Sequence, residues 1–167
     1  MFVLGIDPGL SRCGYGVVEQ SGRKAEAVAI GVIRTPAKAP TAERLAWIHE
    51  EFVRLVEEHK PDVVAIERVF FQVNARTAMG VAQVSGLAMA IGHSAGAEVV
   101  DYTPNQVKEA VAGWGGANKE QMQRMVQSLL RLPEMPSPPD AADAAAVALC
   151  HLAHRASRQM AKSSKLS

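Results

Sequence analysis

The sequence has little cysteine and no strong excess of charge of either sign. Its two cysteines, Cys13 and Cys150, lie in unrelated contexts without CxxC spacing, which indicates a reducing compartment such as the cytoplasm. The formal net charge is only +1. The molecule as a whole is therefore not a basic surface for nucleic acid, and any such site must come from local clustering of Lys and Arg.

Long apolar runs and a basic leader segment are also missing. Arg, Gln, His or Glu interrupts every apolar stretch, so none approaches the roughly 18 residues of a membrane span. Residues 1–7 contain no basic segment of the kind that opens a secretory signal. At 167 residues, we expect one soluble cytoplasmic domain over 1–157 and a flexible C-terminal tail over 158–167.

The order of strand-like and helix-like segments predicts a mixed α/β sheet. Strand-forming residues recur in three early segments that predict a meander, at 2–7, 15–19 and 25–33. Helical and strand patterns then alternate, over 41–59, 63–67, 77–93 and 98–102, and three helices follow. We therefore predict a five-stranded α/β sheet, with the meander antiparallel and the later strands parallel, flanked by helices. Functional sites in such sheets gather at strand ends.

Two of the predicted helices have unusual composition. Residues 77–93 are apolar on nearly all sides, which predicts a helix packed between other elements or against a partner subunit. The last helix should begin near the sequence Ser137-Pro138-Pro139-Asp140 and continue through alanine-rich sequence to about Ala156.

Four carboxylates occupy positions that a sheet of this kind could bring together. Asp7 ends the first strand and Glu67 ends the fourth, which could lie parallel beside the first. Asp140 and Asp143 are three residues apart and share one face of a helix. The small residues around them would let that helix approach the sheet closely, namely Ala141, Ala142, Ala144, Ala145 and Ala146.

Such a cluster predicts divalent metal ions. Four neighbouring carboxylates repel one another unless cations neutralise them, and oxygen ligands select Mg²⁺ or Mn²⁺. Two such ions about 4 Å apart can activate water for in-line attack on a phosphodiester and stabilise the departing oxygen. The cluster therefore predicts a two-metal nuclease.

Each acidic residue taken alone has a simpler interpretation. Asp7 precedes Pro-Gly and could form a turn, and Asp140 could complete a capping box. Glu67 ends a buried strand and needs a partner; Arg68 is adjacent, but neighbouring strand residues point to opposite faces. The pair His151 and His154 lies about 12 Å or more beyond Asp143 along the helix, and we interpret it as structural.

Four motifs resemble those of the RuvC family of bacterial Holliday-junction resolvases, which have the ribonuclease H fold. They span almost the whole chain, in family order and spacing: Gly5-Ile6-Asp7-Pro8-Gly9 with Gly14-Tyr15-Gly16, Ala65-Ile66-Glu67-Arg68-Val69-Phe70, Gly80-Val81-Ala82-Gln83 and Asp140-Ala141-Ala142-Asp143-Ala144. Some family members carry histidine where this chain has Asp140, so the resemblance implies an all-oxygen site here.

The resemblance implies a homodimeric endonuclease of DNA recombination and repair that resolves four-way junctions. It would nick two strands of like polarity symmetrically, leaving 5′-phosphate and 3′-hydroxyl ends, and act with a branch-migration helicase complex. The catalytic acids and ligands of two Mg²⁺ or Mn²⁺ ions would be Asp7, Glu67, Asp140 and Asp143.

The resemblance also implies contacts with DNA. Lys108 and Lys119 match basic residues near the scissile phosphate, where Lys119 would also be catalytic, although each could be a solvated helix charge. Phe70 matches an aromatic residue used at the junction crossover, but it could be a core residue. Arg76 is a further candidate for binding DNA.

Three other functions compete with junction resolution. A related ribonuclease H-like nuclease acting on RNA or on simple nicked nucleic acid would share the chemistry of Asp7 and Glu67. A non-catalytic junction-binding module would not need the complete acidic quartet. A nucleotide-dependent kinase of the actin-like class would need two lobes, for which the chain is too short.

Overall fold

A computed structural model of the chain describes the backbone of residues 1–68 and 75–163; the side chains of 75, 76 and 158–163 fall outside the description. The described elements are, in chain order, β1 (Phe2–Asp7), β2 (Arg12–Ser21), β3 (Lys24–Arg34), α1 (Thr41–His59), β4 (Val63–Glu67), α2 (Ala75–Ser94), β5 (Glu98–Tyr102), α3 (Pro104–Ala112), α4 (Lys119–Leu130) and α5 (Pro139–Ser163). None of these helices combines the length and hydropathy that crossing a membrane requires.

The five described strands form one mixed sheet in the order β3-β2-β1-β4-β5. β1 pairs antiparallel with β2, and β2 pairs antiparallel with β3, which gives the predicted meander. β4 lies parallel to both β1 and β5. The predicted fold class, an α/β ribonuclease H-like sheet with a three-stranded meander and two parallel strands, is confirmed.

Helices cover both faces of the sheet, because alternate strand residues are apolar toward each side. On one face, Leu4, Val17 and Ile66 pack with buried residues of α1 and α2 such as Phe52 and Val84. The opposite face packs against α3, α4 and α5, which contribute Val107, Val111, Met122, Val126, Leu130, Val147 and Leu149. The sheet is therefore the middle of three layers.

Local capping signals fix where α3 and α4 begin. Thr103 accepts a hydrogen bond from the Gln106 backbone N–H, and the Gln106 side chain accepts one from the Thr103 N–H. Asn118 and Gln121 form the same reciprocal pair at α4. Each box spans only four residues, so both helix starts can be read from the sequence. By contrast, α5 extends to Ser163, past the predicted end near Ala156, and the flexible tail over 158–167 stays a prediction.

Helix α2 packs between α1 and the strands β4 and β5, as predicted. Val84 and Ala88 are buried, but Met79 is 65% and Met89 is 39% exposed. Among the described residues, one apolar side of this helix is therefore left uncovered. The alternative, that this face meets a partner subunit, stays a prediction.

Candidate active site

The first two acids of the site stand at neighbouring strand ends. β1 and β4 run parallel with Ile6 opposite Ile66, so Asp7 and Glu67, each the next residue along, lie side by side. The two carboxyl groups are close enough that each changes the pKa of the other, so they titrate as a unit.

Helix α5 brings the other two acids to this edge by backbone contact with three glycines. A Cβ at Gly14 would overlap the carbonyl oxygen of Asp140, and one at Gly5 would overlap that of Ala144. At Gly16 it would stand 2.8 Å from the Ala145 Cα. The predicted role of the α5 alanines in close approach is confirmed. Their glycine partners were missed, although Gly14 and Gly16 share one strand face by their spacing of two.

Asp7, Glu67 and Asp143 line one cavity of about 480 Å³ together with Lys108 and Lys119. The acids come from β1, β4 and α5, and the lysines come from α3 and α4. Five charged residues that are distant in sequence therefore meet at one edge of the sheet. The predicted convergence of these three acids is present.

Asp140 stands at the edge of this cluster. One of its oxygens, Oδ2, is 2.8 Å from a terminal nitrogen of Arg12, at the start of β2. Asp140 does not belong to the described cavity lining, yet its charge acts on Asp7. Arg12 was not among the predicted site residues, since sequence offers no signal for an ion pair between segments so far apart.

Burial and crowding make the acids hard to ionise. Burial, and then the charges of Glu67 and Asp143, raise the pKa of Asp7 from 3.8 to about 8. The pKa of Glu67 is raised by burial first and by Asp143 second. Burial also raises the pKa of Asp143, opposed by Lys119. Carboxylates whose pKa is raised above its ordinary value have too few positive groups nearby to balance their negative charge.

The two lysines provide the positive charge of the cavity. Lys119 Nζ lies 3.4 Å from Asp143 Oδ2, and the charge of Asp143 raises the pKa of Lys119. Lys108 lowers the pKa of both Glu67 and Asp143 through its charge. Both lysines are therefore close enough to act on the acids and to meet a phosphate that enters the cavity.

Comparison with known proteins identifies the family to which this chain belongs. The sequence profile of the family described as "Crossover junction endodeoxyribonuclease RuvC" matches residues 3–151. The chain belongs to the RuvC family. The RuvC of Thermomicrobium roseum is 48% identical over 133 residues, covering 80% of this chain and 81% of the relative. The RuvC of Salinispora arenicola is 53% identical over 133 residues, covering 79% of this chain and 76% of the relative.

Solved RuvC structures have the same fold. Thermus thermophilus RuvC superimposes with a TM-score of 0.86 at 37% identity, covering 93% of this chain and 95% of that one. The same protein in complex with Holliday junction substrate gives a TM-score of 0.87 at 37% identity, covering 93% and 94%. A yeast mitochondrial Holliday junction resolvase, at 16% identity and a TM-score of 0.68 over 92% of this chain and 80% of that one, shares the fold alone.

The carboxylate oxygens of this chain are suitable ligands for divalent metal ions, but they are not prearranged around an ion. Among the described residues, no group of three His, Cys, Asp or Glu side chains is spaced to hold a metal. Asp7 is paired with Glu67, Asp140 with Arg12 and Asp143 with Lys119. Their oxygens are the ligand type that Mg²⁺ and Mn²⁺ prefer. Binding such ions would exchange these internal partners for metal–oxygen contacts.

Arg68 of this RuvC chain pairs with Asp101 and not with Glu67. Its Nε and one terminal nitrogen donate to the two Asp101 oxygens at 2.7 and 2.9 Å, and its backbone N–H donates to the Tyr102 carbonyl at 2.7 Å. The expectation that Arg68 points away from Glu67 is met. Glu67 is therefore available to the acidic cluster, and the residue after β4 is hydrogen-bonded to β5.

Two predicted DNA contacts cannot be located in this RuvC structure. Phe70 lies outside the described residues. Arg76 falls within the bounds of α2, but its side chain is outside the description. Their proposed roles stay predictions.

His151 and His154 both contact Tyr102. Tyr102 Oη is 2.9 Å from His151 Nδ1, and the Tyr102 ring stacks on His154 with centroids 5.2 Å apart. Their interpretation as structural residues agrees with these contacts.

Proposed function

We propose that this chain is a metal-dependent endonuclease that resolves four-way DNA junctions in recombination and repair. It nicks two strands of like polarity and leaves 5′-phosphate and 3′-hydroxyl ends. The observation that carries the proposal is the meeting of Asp7, Glu67 and Asp143 with Lys108 and Lys119 in one cavity. Membership of the RuvC family supports the choice of substrate.

The acids act as metal ligands and supply the negative charge that the metal ions neutralise. Asp7, Glu67, Asp140 and Asp143 would hold two Mg²⁺ or Mn²⁺ ions per site, which would supply water activation and neutralisation of charge on the phosphate. The raised pKa of Asp7 means that this residue gives up its proton when a cation is present to replace it. Arg12, which lies 2.8 Å from Asp140, would compete with cations for that carboxylate.

The lysines bind and orient the scissile phosphate. Lys119 contacts Asp143 at 3.4 Å and can transfer that contact to a phosphate oxygen, which makes it the stronger catalytic candidate. Lys108 lines the same cavity and would contact the DNA backbone. By family resemblance, Phe70 would stack at the crossover and Arg76 would bind DNA.

The active unit is proposed to be a homodimer in the cytoplasm. Symmetric nicking needs two sites, and the exposed Met79 and Met89 of α2 offer an apolar face for a second copy. A branch-migration helicase complex would be a further partner. Light scattering combined with size-exclusion chromatography tests the dimer directly, and a mass of one chain at micromolar concentration would contradict it.

The decisive experiment compares cleavage of a labelled four-way junction with cleavage of linear duplex of the same sequence. We expect paired nicks in the junction with Mg²⁺ or Mn²⁺, none with EDTA, and little cutting of the linear duplex. Sealing of the nicks by a DNA ligase, without prior end repair, tests whether the products carry 5′-phosphate and 3′-hydroxyl ends. Asp7→Asn should bind the junction but lose nicking, because its amide replaces a negatively charged ligand with a neutral one.

Three outcomes would contradict this proposal. Equal cutting of linear duplex, or preferential cutting of RNA, would favour a different ribonuclease H-like nuclease. Junction binding without any metal-dependent nicking would favour a non-catalytic module. Persistent metal-dependent nicking by Asp7→Asn would remove the acidic cluster from the mechanism.

A further inference from the structure

A second cavity of about 520 Å³ lies beside the acidic cluster, between the turn that joins β1 to β2 and the helices α1 and α2. Its polar side chains come from all three segments: Ser11, Arg12, Thr41, Arg44, Thr77 and Gln83. Two of them are guanidinium groups, and the described lining includes no Asp or Glu. The charge of the lining is therefore positive.

Arg44 is oriented in this cavity by neutral groups. Its Nε donates to Thr35 Oγ1 at 2.9 Å, and its Nη2 donates to Ser11 Oγ at 2.5 Å. Thr35 in turn donates to the Leu10 carbonyl at 2.6 Å. A guanidinium has five N–H donors, so these contacts leave donors over, and no described carboxylate forms an ion pair with Arg44.

Arg12 connects this cavity to the acidic cluster. It lines the cavity and also lies 2.8 Å from Asp140. The two sites are therefore adjacent, with Arg12 common to both. A DNA strand with one phosphate at the acids has further phosphates on both sides of it, since a strand carries one charge per about 3.4 Å of helix axis.

We propose that Arg44, with Arg12 beside it, forms a second phosphate site that holds the DNA backbone next to the scissile phosphate. A fixed guanidinium without a carboxylate partner suits a phosphate, because the planar fork matches two phosphate oxygens. The hydroxyls of Ser11 and Thr35 orient the fork without cancelling its charge. The inference rests on the proposed function, since it assigns part of the same substrate to a new site.

Salt-dependent binding of a labelled four-way junction, in EDTA so that no cleavage occurs, tests this site. Removing one phosphate contact should flatten the slope of log affinity against log salt by about 0.9. Extrapolated from 1 M salt, this corresponds to about eightfold weaker binding at 0.1 M. We expect that loss for Arg44→Gln, while Arg44→Lys, which keeps the charge, should keep the slope.

Arg54→Gln is the matched control. Arg54 lies on the same helix and is exposed, paired with Glu51 at 2.6 Å, so its loss should leave the slope unchanged. Thermal unfolding of each variant separates a folding defect from a lost contact. If Arg44 only braces Ser11 and Thr35, then Arg44→Gln and Arg44→Lys will both lower the melting temperature without changing the slope, which would overturn the inference.

The other outcomes are equally distinct. An Arg44→Gln slope equal to that of the unmodified chain, or equal slope losses in Arg44→Gln and Arg54→Gln, would overturn the second site while leaving the proposed function intact. An unmodified chain that neither binds nor cuts junctions would refute the proposed function, and this inference with it.

Discussion

Replacing Asp7 by Asn should stabilise the metal-free protein while abolishing its activity. Burial and the neighbouring charges raise the pKa of Asp7 from 3.8 to about 8. Between these two values the folded protein retains a proton that the unfolded chain releases. Stability therefore falls as pH rises through this window and levels off above it. Asn has nearly the same shape as Asp and carries no charge, so it removes this dependence.

The size of the effect follows from the same shift. One pKa unit corresponds to about 1.4 kcal/mol, and both pH 5 and pH 7 lie inside the window. The free energy of unfolding of Asp7→Asn relative to the unmodified chain should therefore rise by up to about 2.7 kcal/mol between these two pH values. Because Asp7 and Glu67 each change the pKa of the other, we expect about half to all of this amount.

Urea unfolding in EDTA at pH 5 and pH 7 measures the difference. Glu51→Gln is a suitable control, since it removes one carboxylate of α1, paired with Arg54 at 2.6 Å, and α1 packs on the face of the sheet opposite α5. Unfolding free energies of Asp7→Asn and the unmodified chain that change in parallel between the two pH values would refute the reasoning. A gain in stability with loss of nicking would show that function is maintained at the expense of stability here.

Three further predictions address the scaffold, the phosphate contact and the metal. Gly14→Ala should destabilise the fold by about 1–3 kcal/mol and reduce nicking, because the added Cβ overlaps the Asp140 carbonyl; chemical unfolding tests this against Gly115→Ala, whose Cβ meets its nearest neighbour at 3.6 Å. Lys119→Ala should flatten the salt slope of junction binding by about one unit, and an unchanged slope would assign this lysine to solvent. Mn²⁺ at about 100 times its dissociation constant should stabilise the unmodified chain by about 2.7 kcal/mol but Asp7→Asn much less; equal shifts in thermal unfolding would place the metal elsewhere.

Much of the architecture could be predicted because its signals are local. The capping boxes at Thr103 and Asn118 and the apolar spacing of α1 depend on residues within a few positions of one another. The strand ends that carry Asp7 and Glu67 were equally visible, since turn or loop residues follow apolar runs at both places. Parallel pairing of β1 with β4 then brings the two acids together without further information.

The undetected features depend on contacts between distant segments. The pairing of Arg12 with Asp140 joins β2 to α5 across the sheet, and neither residue type reveals its partner from sequence. The exposed side of α2 could be predicted only as one of two alternatives, because apolar composition is the same whether a helix is covered by its own chain or by another. Arg44 resembles an ordinary solvated helix charge until the hydroxyls of Ser11 and Thr35 are seen around it.

The seating of α5 on Gly5, Gly14 and Gly16 has a consequence for how this protein can vary. At these three positions the gap between helix and sheet is set by main-chain atoms of α5, so exchanging side chains elsewhere does not alter the contacts. Core residues such as Val147 and Leu152 can then be exchanged for others of similar volume with little movement of the late aspartates. Substitutions in the core therefore leave the distances between the acids at the active site largely unchanged. Substitutions at the three glycines would change those distances.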